Sequence, residues 1–173
     1  MTADHGVAAV GELVPVILKL DYDGREIDPS QGLRSPELMN LVQLWRSRHR
    51  GGALPRRCDF AAEEFMKFSG RVALIDVEHE PFRLRFRLVG TLITNILERD
   101  STGRYLDELY DPVYYARVAD YFRTIVNERR ALRTVGDIAQ TRRRNVQAEV
   151  IDLPLAGAGD RVDVILRGVD LQS

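Results

Sequence analysis

The sequence predicts an α+β fold in which helices cover a single antiparallel sheet. Three observations carry this. Phe82-Arg83-Leu84-Arg85-Phe86-Arg87-Leu88 alternates strictly between apolar and charged residues, the two-residue repeat of a strand with one buried face. Ser35-Pro36 and Asp111-Pro112 each place a capping side chain before a proline, and an apolar stripe at helical spacing follows both. Strand-like runs close the chain, two of them joined by the glycine-rich Ala156-Gly157-Ala158-Gly159-Asp160.

Residues 1–33 read as an extension. Asp21 to Gly32 is rich in Asp, Gly, Pro and Ser, the composition of turns and linkers, and Leu13 to Tyr22 has a strand-like pattern. Residues 34–173 form the domain proper. Its first helix runs from Ser35 to about Arg50, with Leu38, Leu41, Val42 and Trp45 on one stripe. Asp59 is placed to cap a second, shorter helix that ends at Gly70. Val72 to Val77 is apolar on both faces, which marks a central strand. A short connection then leads into the alternating strand, whose Phe82, Leu84, Phe86 and Leu88 share a face. Thr91 to Leu97 and Arg104 to Tyr110 read as short helical pieces around the turn Asp100-Ser101-Thr102-Gly103. The helix opened at Asp111-Pro112 buries Tyr114, Val118, Tyr121, Phe122 and Ile125, and it ends near Arg129-Arg130. Strands over Leu132 to Ala139, Asn145 to Leu155 and Arg161 to Val169 complete the order.

Composition excludes several classes of protein. The chain has 173 residues and a formal net charge of -1, so it has no general attraction for nucleic acid or anionic lipid. One cysteine, Cys58, excludes an internal disulfide framework and a cysteine-based zinc site. No apolar run approaches the roughly 20 residues of a membrane-spanning helix, and the acidic start lacks the features of a signal peptide. Cytoplasm is the default expectation. Gly157 and Gly159 lack the third glycine of a dinucleotide loop, and no Walker loop or nucleophile elbow is present. The basic residues are uneven: 23 arginines stand against Lys19 and Lys67.

The element order resembles a PAS domain, and more narrowly the stand-alone PAS-like family common in alphaproteobacteria. The carrying segments are Leu44-Trp45, Gly52 to Phe60, Leu74 to Val77, Arg85 to Thr91, Asp100 to Leu106 and Leu153-Pro154-Leu155, which together span about residues 40 to 169. The resemblance implies a five-stranded antiparallel sheet with short helices and one long helix on one face, preceded by the amphipathic N-terminal helix. The sheet would cup a small cavity. It also implies a sensory or regulatory domain, non-enzymatic, that acts as a homodimer or on a signalling protein partner. The sequence departs from the family at Glu98, where a glycine is expected ahead of the Asp-x-Thr-Gly turn.

Haem is not expected, because Val113 to Glu128 holds no histidine and His79 falls at the hairpin. Light-sensing flavin chemistry is not expected either, since Cys58 lies upstream of the first core strand. The candidate pocket for a small-molecule ligand is Leu88, Ile93, Asn95, Ile96, Tyr105, Tyr114, Val118 and Tyr121; simple core packing explains the same residues. The stripe Leu38, Leu41, Val42 and Trp45 docks either on a second subunit or within its own chain. Arg129, Arg130, Arg133, Arg142, Arg143 and Arg144 form a candidate anion site, or alternatively a solvated sheet edge. Without interleaved aromatics or a helix-turn-helix, that cluster argues poorly for nucleic acid. Arg83, Arg85 and Arg87 require acidic neighbours, and Asp76 with Glu78 are placed to meet arginines of an adjacent strand. The competing function is a small-molecule enzyme on a cone-shaped α+β fold. A buried Asp–His or Asp–Tyr pair in the cavity would favour the enzyme, and a closed apolar cavity with a helix-mediated dimer would favour the sensor.

Overall fold

A computed structural model of the chain describes residues 18–20, 32–68, 70–138 and 147–172. Strand β1 (Leu18–Leu20) is followed by α1 (Pro36–Ser47), α2 (Ala62–Met66), the hairpin β2 (Val72–His79) and β3 (Phe82–Val89), α3 (Thr91–Leu97), α4 (Pro112–Glu128), β4 (Leu132–Ile138), β5 (Gln147–Ala156) and β6 (Val162–Gln172). The strands form one antiparallel sheet in the order β1-β4-β5-β6-β2-β3. Five of them make the expected sheet. The sixth, β1, comes from the N-terminal stretch and pairs Leu18 with Ile138 and Leu20 with Gly136 at the edge of β4.

Helices occupy both faces. Ser35 caps α1 by accepting from the Leu38 N–H at 3.1 Å, and its own hydroxyl donates to Asp170 at 2.6 Å. The buried stripe of α1 lies over β5 and β6, where a Cβ on Gly168 would sit 2.7 Å from Leu41 and 2.9 Å from Leu38. The Trp45 indole donates to the Pro154 carbonyl at 3.0 Å. On the opposite face, α4 begins where Asp111 accepts from the Val113 and Tyr114 N–H groups. Neighbouring sheet residues therefore serve different helices: Ile151 and Gly168, which are register partners, face α1, while Asp152 and Arg167, also partners, face α4.

Two local expectations are corrected and one is sharpened. Asp59 does not cap α2; it accepts from the Arg56 N–H, and α2 opens at Ala61, whose N–H donates to Glu64. The helical piece over Arg104 to Tyr110 is a single 3₁₀ turn, Leu106–Glu108. The hairpin register shifts between Leu74 and Ile75, so Leu74 pairs with Leu88 but Ile75 pairs with Phe86. This bulge removes Leu88 from the face of Leu84 and Phe86 and leaves it 43% exposed. Residues 103–105 then cover the outer edge of β3, with Phe86 donating to the Arg104 carbonyl and Gly103 donating back to Phe86.

Candidate functional site

The interior between α4 and the sheet carries a charged cluster. Asp152 on β5 and Arg167 on β6 are cross-strand partners. The Arg167 guanidinium grips the Asp152 carboxylate as a fork, with Nε to Oδ1 at 2.7 Å and Nη2 to Oδ2 at 2.9 Å. The Tyr121 hydroxyl on α4 donates to the same Oδ2 at 2.8 Å. All three residues are buried. Arg167 also lies 5.1 Å from the centroid of the Phe122 ring, which supplies a cation–π contact on its other side. Tyr110 and Tyr114 meet edge to face, with ring centroids 5.1 Å apart. Burial pushes the Tyr110 hydroxyl above its ordinary range, while nearby Arg167 and Arg99 pull against that shift. Arg99 itself reaches the Leu109 carbonyl at 3.5 Å.

A family model described as the PAS domain matches residues 33–169. The chain belongs to the PAS domain family. PAS domains are sensory and regulatory modules that commonly mediate dimerisation and protein contact. No curated protein matches the chain.

The structure brings together part of the predicted pocket of this PAS domain. Ile93, Ile96, Val118 and Tyr121 are buried beneath the sheet, and Tyr114 is partly buried beside Tyr110. Three candidates lie elsewhere. Leu88 is turned outward by the bulge. Asn95 is exposed on the solvent side of α3, whose buried residues are Ile93, Ile96 and Leu97. Tyr105 sits at the β3 edge, where its hydroxyl donates to Glu78 at 2.8 Å and Arg83 stacks 3.7 Å over its ring. The sequence reading missed Asp152, Arg167 and Tyr110. A signal existed: Asp152 and Arg167 each interrupt an apolar strand, and they meet when residues are counted outward from the 156–160 turn.

The helix stripe Leu38, Leu41, Val42 and Trp45 is consumed within the chain and offers no free apolar face to a partner. The described arginines of the 129–144 cluster each meet a carboxylate. Arg129 pairs with Asp160, Arg130 with Glu128, and Arg133 with the buried Glu149. Arg142, Arg143 and Arg144 lie outside the described residues. On β3 the arginines find the acids they require: Arg85 and Arg87 share Asp76, at 3.1 and 2.6 Å, and Arg83 forks onto Asp107 at 2.8 Å. Asp76, Glu78, His79, Arg85, Arg161 and Asp163 line an open groove of about 630 Å³ on that side. Its charges are largely paired, with His79 at 2.9 Å from Asp163 and Arg161 on the same carboxylate. Among the described residues no group of three or more His, Cys, Asp or Glu side chains is placed to hold a metal ion, and no helix is long and apolar enough to cross a membrane.

Proposed function

We propose that this PAS domain is a non-enzymatic sensory and regulatory module of the cytoplasm, one that holds a small ligand in its core and acts through protein contact, as a homodimer or on a signalling protein. The buried Arg167–Asp152–Tyr121 cluster carries this reading. An apolar core needs no ion pair for stability, because well-packed hydrophobic residues of similar volume do as well or better. Charged groups retained between the long helix and the central strands are suited to recognition. The cluster also joins the helix that would cover a ligand to the two strands that carry α1 on their reverse face.

The buried Asp152–Tyr121 pair is the observation that favours an enzyme. The Arg167 fork weighs against it. Both oxygens of the carboxylate are already engaged by the guanidinium fork and the phenol, so Asp152 is not placed to take a proton from a substrate. For the described arginines of the 129–144 cluster, carboxylate partners argue against a phosphate-backbone surface.

The test is native mass spectrometry of the protein purified from its own host, with denatured controls. A retained small molecule and a dimer, or a co-purified stoichiometric protein, supports the proposal. A ligand-free monomer without a partner overturns it, and turnover of a small-molecule panel that is abolished by Asp152→Asn would establish the enzyme instead.

A further inference from the structure

Val72 pairs with Gly168 and side chains alternate along β2, so Asp76 and Glu78 lie on the α1 side of the sheet. Arg85 and Arg83 are their cross-strand partners on β3. The ladder between β2 and β6 ends at Asp76 and Val164, while β2 runs on to His79 in register with β3 alone. The open groove of about 630 Å³ lies there, with Glu78 and Glu80 on one wall and Arg161 and Asp163 on the other. Its charges are sorted along its length. Arg85 and Arg87 are 44% and 48% exposed and both rest on the Asp76 carboxylate, so two guanidiniums meet one negative charge. Among the described residues Arg85 otherwise meets only the Tyr105 ring, 5.8 Å away, and Arg87 has no other side-chain partner. At the turn end Glu78 accepts from the uncharged Tyr105 hydroxyl, and the exposed Glu80 has no ion-pair partner among the described residues. The bulge opposite Leu74 and Ile75 leaves Leu88 exposed next to Arg87.

We infer that this groove docks an extended segment of a protein partner, with an acidic side chain received between Arg85 and Arg87 and a basic side chain four residues away at Glu80. This rests on the reading that the domain acts on a signalling protein. Small-molecule sites are mostly apolar, whereas Val77 is the one apolar residue among those that line this groove. A protein segment brings its own backbone and can lay an apolar side chain on Leu88. Arginines that share one carboxylate keep N–H groups for a second, which a planar guanidinium takes as a fork. Glu80 follows Asp76 by four residues, about 13 Å at the rise of a strand, and positions i and i+4 of an extended segment span the same length. The order of the charges therefore selects the partner and fixes its register.

The experiment titrates the intact protein with capped seven-residue peptides that carry glutamate at the second position and lysine at the sixth, or the reverse order, on a threonine background. Calorimetry reads the affinity and amide chemical shifts read the place. At least one order is expected to bind saturably and to shift residues 76–88, while peptides with glutamine for glutamate, and acetate alone, do not. Raising the salt from about 0.05 to 0.3 M should weaken binding. Arg85→Gln with Arg87→Gln should weaken it about tenfold or more. Glu80→Lys, on the exposed turn and away from the Asp76 pairs, keeps the fold and should turn the preference to a peptide with glutamate at both positions. Equal binding of the glutamine peptides, equal binding of acetate, shifts confined elsewhere, an unchanged preference in Glu80→Lys, or no binding by either order would overturn the assignment. A stoichiometric partner seen in native mass spectrometry and retained in full by the Arg85→Gln, Arg87→Gln variant would overturn this surface and leave the protein-contact reading standing. No partner, no dimer and no binding peptide would remove both.

Discussion

Asp152 is fully buried and receives three donors from two partners, so its worth depends on which partner is removed. Asp152→Ala takes the carboxylate away from the buried Arg167 guanidinium, and urea denaturation should show a loss of about 3–5 kcal/mol. The double variant Asp152→Leu, Arg167→Met should regain most of that, because it removes both charges. Tyr121→Phe keeps the ring and should cost about 1.5–3 kcal/mol, the range for a hydrogen bond to a charged group. Glu98 gives a change of opposite sign. It ends α3 at φ 52°, in the left-handed region, where a Cβ is unfavourable by about 1–2 kcal/mol. Glu98→Gly should therefore raise the urea midpoint, by less than that because glycine also loosens the unfolded chain. The missing family glycine was legible as a sequence departure. The reason for it, a positive φ at the end of a short helix, needed coordinates.

At the scale of elements, α1 is held at both ends by polar contacts and in the middle by packing. The buried Glu149 accepts from the Arg34 and Ser35 N–H groups and from Arg133, which fixes where α1 begins. Gly168 lets the helix approach β6. A methyl there meets the tips of Leu38 and Leu41 at under 3 Å, so Gly168→Ala should cost about 1–3 kcal/mol and speed hydrogen exchange in α1 more than in α4. The elements themselves were largely readable in the sequence. Proline-and-cap starts located α1 and α4, alternation located β3, and the glycine-rich turn located the β5–β6 hairpin. What failed was face assignment on β3 beyond Phe86. A bulge is set by how two strands fit together, and one strand's alternation does not contain it. The pocket list erred for the same reason. Tyr105 was placed inside by its position in the chain, whereas the pairing of residues 103–105 with the β3 edge carries it outside.

At the scale of the molecule, many of the described arginines are matched by local acids. The resulting pH behaviour follows from those pairs. Hydrogen bonds from Arg83, Arg104 and Arg129 hold Asp107, Glu108 and Asp160 below the usual carboxylate range, and the Ala61 N–H does so for Glu64. A lowered native value means the contribution is present above about pH 4–5 and is lost as pH falls through the native values. Urea midpoints should therefore be level near neutrality and fall below about pH 4, and salt should blunt the effect at the exposed pairs. Tyr105, held up by its hydrogen bond to Glu78, and Tyr110 and Tyr115, held up by burial, act at the other end. Their contribution is complete below about pH 10 and is lost as pH rises further.

The adjacent residues Arg167 and Gly168 also restrict how β6 can pair at all. One demands an acid on the α4 face, and the other demands an absent side chain on the α1 face. Sliding β6 by a single position would present the guanidinium to Leu38 and Leu41 and leave Asp152 opposite a glycine. Both errors are severe and they arise together, so the dipeptide fixes the register of β6 against β5. That constraint holds whether or not the finished domain receives a ligand.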